Sequence, residues 1–427
     1  MTLGEPAPLP AHRPRQAPVP DDRALPRLPV LLDAEAMALF LHRSLGPYAP
    51  FPDVRVHYLR YKPGTNIVVR YDVGLDGRGY DVIAMIKAGR SLARRAEKPE
   101  NVALARRVDG RSPAPMPLRY EPELDALIQW YPLDLELPAL AEPPARLLAE
   151  LEAAGAILGD VGGEPATLSY KPRRRAVLRV GGHVLKIYAH QQEFAAAGAG
   201  LRAAAGLCGV RTATMQGQLA TKLVIVQDAL SGSRPSRAAD VALEAGELLH
   251  DLHNSRTRGQ RTERETDLAA AKPSHQLAAA ERSAGLITAL LPTLGSRVQA
   301  LLHELEAEMP SINNLVPTHG DFNARQLLVR GDGLAVVDLD AMCLAPAALD
   351  PATYAGHLVF GGPDDLAQAS EVLERLLEGY GGRPFGLEWY LATCILRRSP
   401  WPFRYLQEDW GERLEGMVMA AEAAADA

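Results

Sequence analysis

Cysteine is scarce in this chain: three in 427 residues, Cys208, Cys343 and Cys394, odd in number and widely spaced. They form neither a disulfide framework nor a zinc-ligand pattern, and a cytoplasmic location is expected. Aromatic residues are few, at 6%, but 47% of the chain is hydrophobic, which excludes wholesale disorder and leaves material for cores. No stretch approaches the roughly 18 uninterrupted apolar residues of a membrane span, so no membrane partner is expected. Met1 to Arg27 is proline-rich, is broken by Arg and Asp, and has no apolar core, so it does not read as a secretory signal. Nor is there an excess of one charge: 46 basic against 52 acidic residues gives −6, which argues against a general nucleic-acid binder.

What is present is length and repetition. At roughly 100–200 residues per domain, two or three domains are expected. After the proline-rich tail, Leu31 to Leu45 has helical spacing and Gly46-Pro47 stops it. Alternating apolar segments from Val54 then read as strands. Tyr61-Lys62-Pro63 recurs as Tyr170-Lys171-Pro172, and the elements that follow come in matching order. Ile67 to Arg70 answers to Ala176 to Arg179, and a strand ending at Lys87 answers to one ending at Lys186. A helix and an apolar strand complete each copy, so a β-β-β-α-β-β unit is read twice. From Asp240 the pattern is helical, with a break near Pro292 to Gly295 and one hairpin at Gln326 to Asp338. The alanine-rich end, Met419 to Ala427, is expected to be frayed or disordered.

The chemistry concentrates in Thr318-His319-Gly320-Asp321-Phe322-Asn323-Ala324-Arg325-Gln326 and the hairpin after it. Gly331-Asp332-Gly333 between two apolar runs is a tight-turn signal. A turn centred on Asp332 would set Gln326 opposite Asp338 at the hairpin mouth, with Asp321 just upstream. Carboxylate and amide oxygens are hard ligands suited to Mg2+. A second carboxylate beside them could orient and deprotonate a hydroxyl.

His-Gly-Asp-x-x-x-x-Gln followed by Val336-Val337-Asp338-Leu339-Asp340 resembles the catalytic cassette of aminoglycoside phosphotransferase-like kinases. That superfamily includes choline, sugar and aminoglycoside kinases and has the fold of protein kinases. The resemblance implies that Asp321 is the catalytic base, that Asp338 and Gln326 are metal ligands, and that Asp340 is an additional one. The family's usual Asn is Gln326 here, a substitution shared with the maltokinase-type branch. His319 is read as holding the loop rather than moving protons. Lys186 resembles the lysine that neutralises nucleotide phosphates, and Glu193 in the next helix is either its partner or a solvent-facing helix acid. The segment Val224 to Leu230, including Gln227 and Ala229, resembles the hinge that meets adenine. Arg173, Arg174 and Arg175 stand at the phosphate loop, either as a cationic clamp or as exposed turn residues. Asp350, Tyr354, His357, Arg397, Arg398, Trp401 and Arg404 lie where the family places its acceptor; Asp350 also reads as a helix cap, and packing explains the Arg/Trp cluster equally well.

The expectation is therefore an α+β, protein-kinase-like two-lobed fold preceded by a degenerate small-lobe-like β/α domain. The tail would span 1–30, the N-terminal domain 31–145, the nucleotide-binding small lobe 146–236 and the helical lobe 237–427. The expected reaction is ATP- and Mg2+-dependent phosphoryl transfer to a hydroxyl of a small molecule: a sugar, an aminocyclitol or an amino alcohol. A homodimer through the N-terminal domain is also considered. The alternative is a pseudokinase or nucleotide-binding interaction protein without turnover. A protein kinase is a third reading, weakened by the lack of an Ala-Pro-Glu segment after Asp338.

Overall fold

Alternating apolar and polar residues through the first half of the chain form two antiparallel sheets, and longer-period patterns in the second half form helices. The computed structural model describes residues 19–427 apart from 47, 90, 109, 160, 161, 208, 255–266 and 313. Most of the proline-rich tail, up to residue 18, and Cys208 lie outside the described residues.

Two helices come first, α1 (Leu28–Leu32) and α2 (Ala34–Leu45). The sequence pattern predicts one helix here. Asp33 divides it, because its carboxylate accepts the Glu35 and Ala36 amides as an N-cap. The first sheet comprises β1 (Asp53–Lys62), β2 (Asn66–Leu75), β3 (Arg78–Lys87), β4 (Leu118–Glu121) and β5 (Ala126–Trp130), in the order β1-β2-β3-β5-β4. Helices α3 (Ala93–Ala96) and α4 (Pro99–Arg107) lie between β3 and β4 in the chain. Two fully buried rings tie the first helices to this sheet: Tyr71 donates to the Leu31 carbonyl at 2.6 Å and Trp130 to Ser44 Oγ at 3.1 Å.

After α5 (Pro144–Ala153) comes a second sheet: β6 (Ala166–Lys171), β7 (Arg175–Val180), β8 (His183–Tyr188), then α6 (Gln191–Ala204), β9 (Met215–Leu219) and β10 (Val224–Asp228). Its order, β6-β7-β8-β10-β9, repeats that of the first sheet. The two Tyr-Lys-Pro turns are also built alike. Tyr61 Oη and the Gly64 amide both donate to Asp22 Oδ2 at 2.8 Å. Tyr170 Oη and the Arg173 amide donate to Asp134 Oδ2 at 3.0 and 2.7 Å. Gly64 and Arg173 share the left-handed backbone, with φ of 64° and 59°.

Strand register corrects one pairing. Val68 pairs with Met85, and Val177, in the matching place, pairs with Lys186. Met85 therefore stands where Lys186 stands. Lys87 corresponds to Tyr188, because Asn66 pairs with Lys87 and Arg175 with Tyr188. The expected match of Lys87 to Lys186 counted from the strand ends. β8 runs two residues past its lysine, which displaces the match by about 6–7 Å along the strand.

Period-2 alternation divides the first sheet between two cores. Val69, Tyr71 and Ala84 share a core with α1 and α2. Val68, Ile83, Met85 and Leu127 share another with Tyr170, Leu178, Leu185 and Val226 of the second sheet and Leu147, Leu148 and Leu151 of α5.

The helical lobe follows: α7 (Ala242–Asn254), α8 (Pro273–Leu290) and α9 (Gly295–Ala307). Next come β11 (Val316–Thr318), the hairpin β12 (Leu327–Arg330) and β13 (Gly333–Val336), and β14 (Cys343–Ala345), which pairs with β11. Helices α10 (Leu349–Gly356), α11 (Pro363–Tyr380), α12 (Leu387–Arg398), α13 (Trp401–Arg404) and α14 (Trp410–Ala425) complete it. The C-terminal segment is not frayed. Ala420, Ala421 and Ala424 are buried in α14, and their small side chains let it lie close to its neighbours. No helix among the described residues is long and apolar enough to cross a membrane.

Candidate active site

The loop between β11 and the hairpin is held from below. Asp350, fully buried at the start of α10, accepts the His319 amide at 2.7 Å and the Gly320 amide at 2.9 Å. His253 Nε2 on α7 lies 3.2 Å from the same carboxylate, and Tyr380 Oη sits 3.0 Å from His253 Nδ1. Sequence reasoning offered Asp350 as a helix cap or an acceptor residue; it is instead the anchor of the loop. His319 fills the supporting role expected of it. Its Nδ1 accepts the Asp321 amide at 3.3 Å, so Nε2 carries the proton it donates to the Val337 carbonyl at 2.9 Å. Gly320 has φ of 78°, and a side chain there would strike the Ala341 carbonyl.

The hairpin register differs from expectation by one residue. Leu327 pairs with Val336 and Arg330 with Gly333, so the turn is the pair Gly331-Asp332. Gln326 thus faces Val337, whose amide donates to the Gln326 carbonyl at 2.8 Å. Asp338 reaches Gln326 by another route. It adopts a left-handed backbone (φ 64°, ψ 55°), and its Oδ2 lies 3.5 Å from Gln326 Nε2. Such a conformation is unusual for a non-glycine residue and persists where surrounding contacts hold it.

Those contacts are an ion cluster between the lobes. Lys186, 3% exposed on β8, donates to Asp338 Oδ1 at 2.9 Å and also to Asp340. Arg175 on β7 forks onto Asp338, with Nη1–Oδ1 at 2.8 Å and Nη2–Oδ2 at 3.0 Å, and also meets Asp340. Tyr188 donates to Asp340 Oδ2 at 2.9 Å. Two cations thus balance two carboxylates, which is what allows charges to persist at such depth. Burial alone would raise the Asp338 pKa, but Lys186 and Arg175 outweigh it and hold the carboxyl well below the ordinary range. Burial likewise opposes the charge on Arg175, and Asp338 and Asp340 reverse that effect.

Other expected contacts fall elsewhere. Glu193 pairs with Arg174 at 3.1 Å and not with Lys186, because Asp338 and Asp340 already occupy the lysine. Arg173 turns away from the cleft. It contacts Glu136 at 2.9 Å and Met85 Sδ at 2.8 Å, tying the two sheets together. Its left-handed backbone and the bond from its amide to Asp134 set that direction. The Ala229 amide is spent on the Gly182 carbonyl at 2.8 Å, so it is not free to meet an adenine edge. Gln227 lies inside the ladder of β8, β9 and β10, and its buried Oε1 has no hydrogen-bond partner. The linker continues beyond it, and Ser233 pairs with Val329 of β12 through bonds of 3.1 and 2.7 Å.

Asp321 makes no ion pair with Lys186 or Arg175. Among the described residues it has no lysine or arginine within ion-pair distance; its close titratable neighbour is His357 Nε2, 3.5 Å away. Burial would raise the Asp321 pKa, but His357 and then His319 outweigh it, and the carboxyl stays below its ordinary value. Burial pulls His357 down, with Asp321 opposing and Arg398 assisting. His357 Nε2 also lies 3.0 Å from Arg398 Nη1, and one lone pair cannot both accept from Arg398 and donate to Asp321. The two contacts therefore belong to two protonation states: neutral His357 accepts from Arg398, and protonated His357 donates to Asp321.

The donor chemistry of Gln326, Asp338 and Asp340 fits a hard divalent cation. In the present arrangement Arg175 uses both oxygens of Asp338, so a cation would have to displace or share that fork. Among the described residues no group of three His, Cys, Asp or Glu side chains is arranged to hold a metal. The surface hollows around Tyr80 and Pro113 and around Phe385 and Trp389 contain none of Asp321, Gln326, Asp338 and Asp340. Tyr188 was missed by the sequence reading. Its signal was its place two residues beyond Lys186, on the same strand face.

A family model described as the phosphotransferase enzyme family matches residues 66–391. No curated protein matches the chain. Among solved structures, a choline/ethanolamine kinase family protein from Mesorhizobium loti is 16% identical, over 66% of this chain and 95% of that one, with a TM-score of 0.45. The macrolide 2'-phosphotransferase MphH from Brachybacterium faecium is 22% identical over 66% and 96%, with a TM-score of 0.42. The amicoumacin kinase hAmiN is 11% identical over 66% and 94%, with a TM-score of 0.47.

Proposed function

The chain belongs to the phosphotransferase enzyme family, and we propose that it moves the γ-phosphoryl group of ATP to a hydroxyl of a small molecule. The observation that carries this reading is the division of labour within the cassette. Asp338 and Asp340 are bound to Lys186 and Arg175, whereas Asp321, among the described residues, has no lysine or arginine at ion-pair distance and stands on a loop fixed by Asp350. A carboxylate so placed can orient an acceptor hydroxyl and take its proton as oxygen attacks phosphorus. The bond to the β-phosphate oxygen breaks and ADP leaves. Lys186 would balance phosphate charge. Gln326, Asp338 and Asp340 would hold Mg2+, which when bound supplies further neutralisation of phosphate charge.

The first sheet fits a duplicate of the nucleotide lobe that has lost its phosphate lysine to Met85. Its remaining role would be structural. Tyr58 and Tyr61 on β1 pack against Tyr405 and Phe403 at 5.4 and 6.1 Å between ring centres, which makes it a wall beside the acceptor side.

ADP release measured across sugars, aminoglycosides and amino alcohols tests the reading. Acceptor-dependent release is expected with at least one class. Nucleotide binding without release on any acceptor would favour a second reading, a silent nucleotide-binding protein. The fork of Arg175 across both Asp338 oxygens is the observation that supports that alternative.

A further inference from the structure

Next to Asp321 the chain gathers guanidinium groups that, among the described residues, make no ion pair. Trp401 is their centre. The Arg325 guanidinium lies 5.6 Å from the Trp401 ring centre and that of Arg398 5.2 Å, and Tyr405 packs on the same ring at 4.5 Å. Stacking on an aromatic face holds a guanidinium in place while leaving its N–H edge free. Arg398 continues to His357 at 3.0 Å, and His357 stands 3.5 Å from Asp321. Among the described residues neither Arg325 nor Arg398 has a carboxylate within ion-pair distance, and Arg398 Nε is buried with no partner at all. Arg234 also lacks one, and burial and then Arg325 depress it. Asp365, the nearby acid, is spent on the Phe360 amide at 2.9 Å. Lys186 and Arg175, by contrast, are each paired with Asp338 and Asp340. Leaving guanidinium groups unpaired costs stability unless something else meets them.

We propose that the acceptor is an oxyanion-bearing polyol: a hydroxylated molecule that also carries a carboxylate or phosphate, held by Arg325 and Arg398 so that a hydroxyl reaches Asp321. This inference rests on the phosphotransferase reading and narrows it to one substrate class.

The test uses the full-length protein with ATP and Mg2+. D-glucuronate and D-glucose 6-phosphate are compared with neutral D-glucose and a cationic aminoglycoside, and the first two distinguish carboxylate from phosphate. At least one oxyanion acceptor is expected to have the highest kcat/KM. Arg325→Gln and Arg398→Gln should each raise its KM by about tenfold to a hundredfold, the range for hydrogen bonds to charged groups, and leave the KM for ATP unchanged. Arg325 is exposed, so its variant keeps the fold even if the partly buried Arg398 variant does not. Calorimetry of the two oxyanions in the presence of a non-hydrolysable ATP analogue supplies a readout independent of turnover. Binding that disappears in Arg325→Gln supports the oxyanion site even if no acceptor is phosphorylated, in which case the phosphotransferase reading fails alone. Preferred turnover of glucose or the aminoglycoside overturns the oxyanion proposal and leaves the kinase standing. Neither binding nor turnover of either oxyanion also overturns it.

Discussion

Asp338 combines a left-handed backbone, partial burial and a full negative charge, and the contacts from Lys186 and Arg175 make that combination tolerable. The strained backbone turns the carboxylate toward β7 and β8, where Lys186 and Arg175 keep it ionised. Its folded pKa lies well below the ordinary 3.8, so its contribution to stability is whole above about pH 3.8 and is lost as the pH falls below that value. The stability difference between the wild type and Asp338→Asn, from chemical denaturation, should therefore stay constant from pH 7 to about 4 and shrink below it. A difference that faded between pH 7 and 5 would contradict the ion cluster. Sequence named Asp321, Gln326, Asp338, Asp340 and Lys186, because one short spaced motif and one strand-end lysine carried them. It could not show that Glu193 and Arg173 point elsewhere, since both directions depend on contacts distant in sequence: Arg174 for one, Glu136 and Met85 for the other.

At the scale of elements, the loop that carries Asp321 depends on a residue outside the motif. Asp350→Ala would strip two buried backbone amides and His253 of their acceptor. An unsatisfied buried group costs about 1–3 kcal/mol, so a loss of about 2–5 kcal/mol is expected in chemical denaturation, together with loss of activity. An unchanged midpoint would remove the clamp from the account. The hairpin was legible as a hairpin, but its register was not, because Gly331-Asp332-Gly333 fits turns centred on either a residue or a bond. The single helix predicted before the first sheet failed for a local reason that was readable: Asp33 is an N-cap type of residue in mid-pattern. Lys87 failed for a non-local one, as register is set by β2 and not by where β3 stops.

The whole molecule is two like-ordered sheets and a helical lobe, with one core shared between the sheets. That sharing makes the first 141 residues part of the fold of the rest. A chain beginning at residue 142 would expose Tyr170, Leu178, Leu185 and Val226 on the face that Val68, Ile83 and Leu127 cover. Each such side chain carries about 1.5–3 kcal/mol of burial, so the shortened protein is expected to aggregate or bind a hydrophobic dye. A monomer melting at the full-length temperature would contradict the shared core. The sequence revealed the doubled element order through Tyr-Lys-Pro but not the joint core, since strand alternation does not say what a face packs against. The alanine-rich end likewise read as a tail because small residues resemble a solvated segment until a neighbouring helix accounts for them.

The central claim is that Asp321 serves transfer of a phosphoryl group to a hydroxyl, and 31P NMR of the reaction mixture tests it most directly. With the acceptor found in the ADP-release panel, the wild type should form one phosphomonoester for each ADP. Asp321→Ala should form it about 10²–10⁴ times more slowly, the usual share of a positioned general base, while still binding nucleotide. Inorganic phosphate as the sole product, or an Asp321→Ala variant that forms the ester at the wild-type rate, would contradict the account.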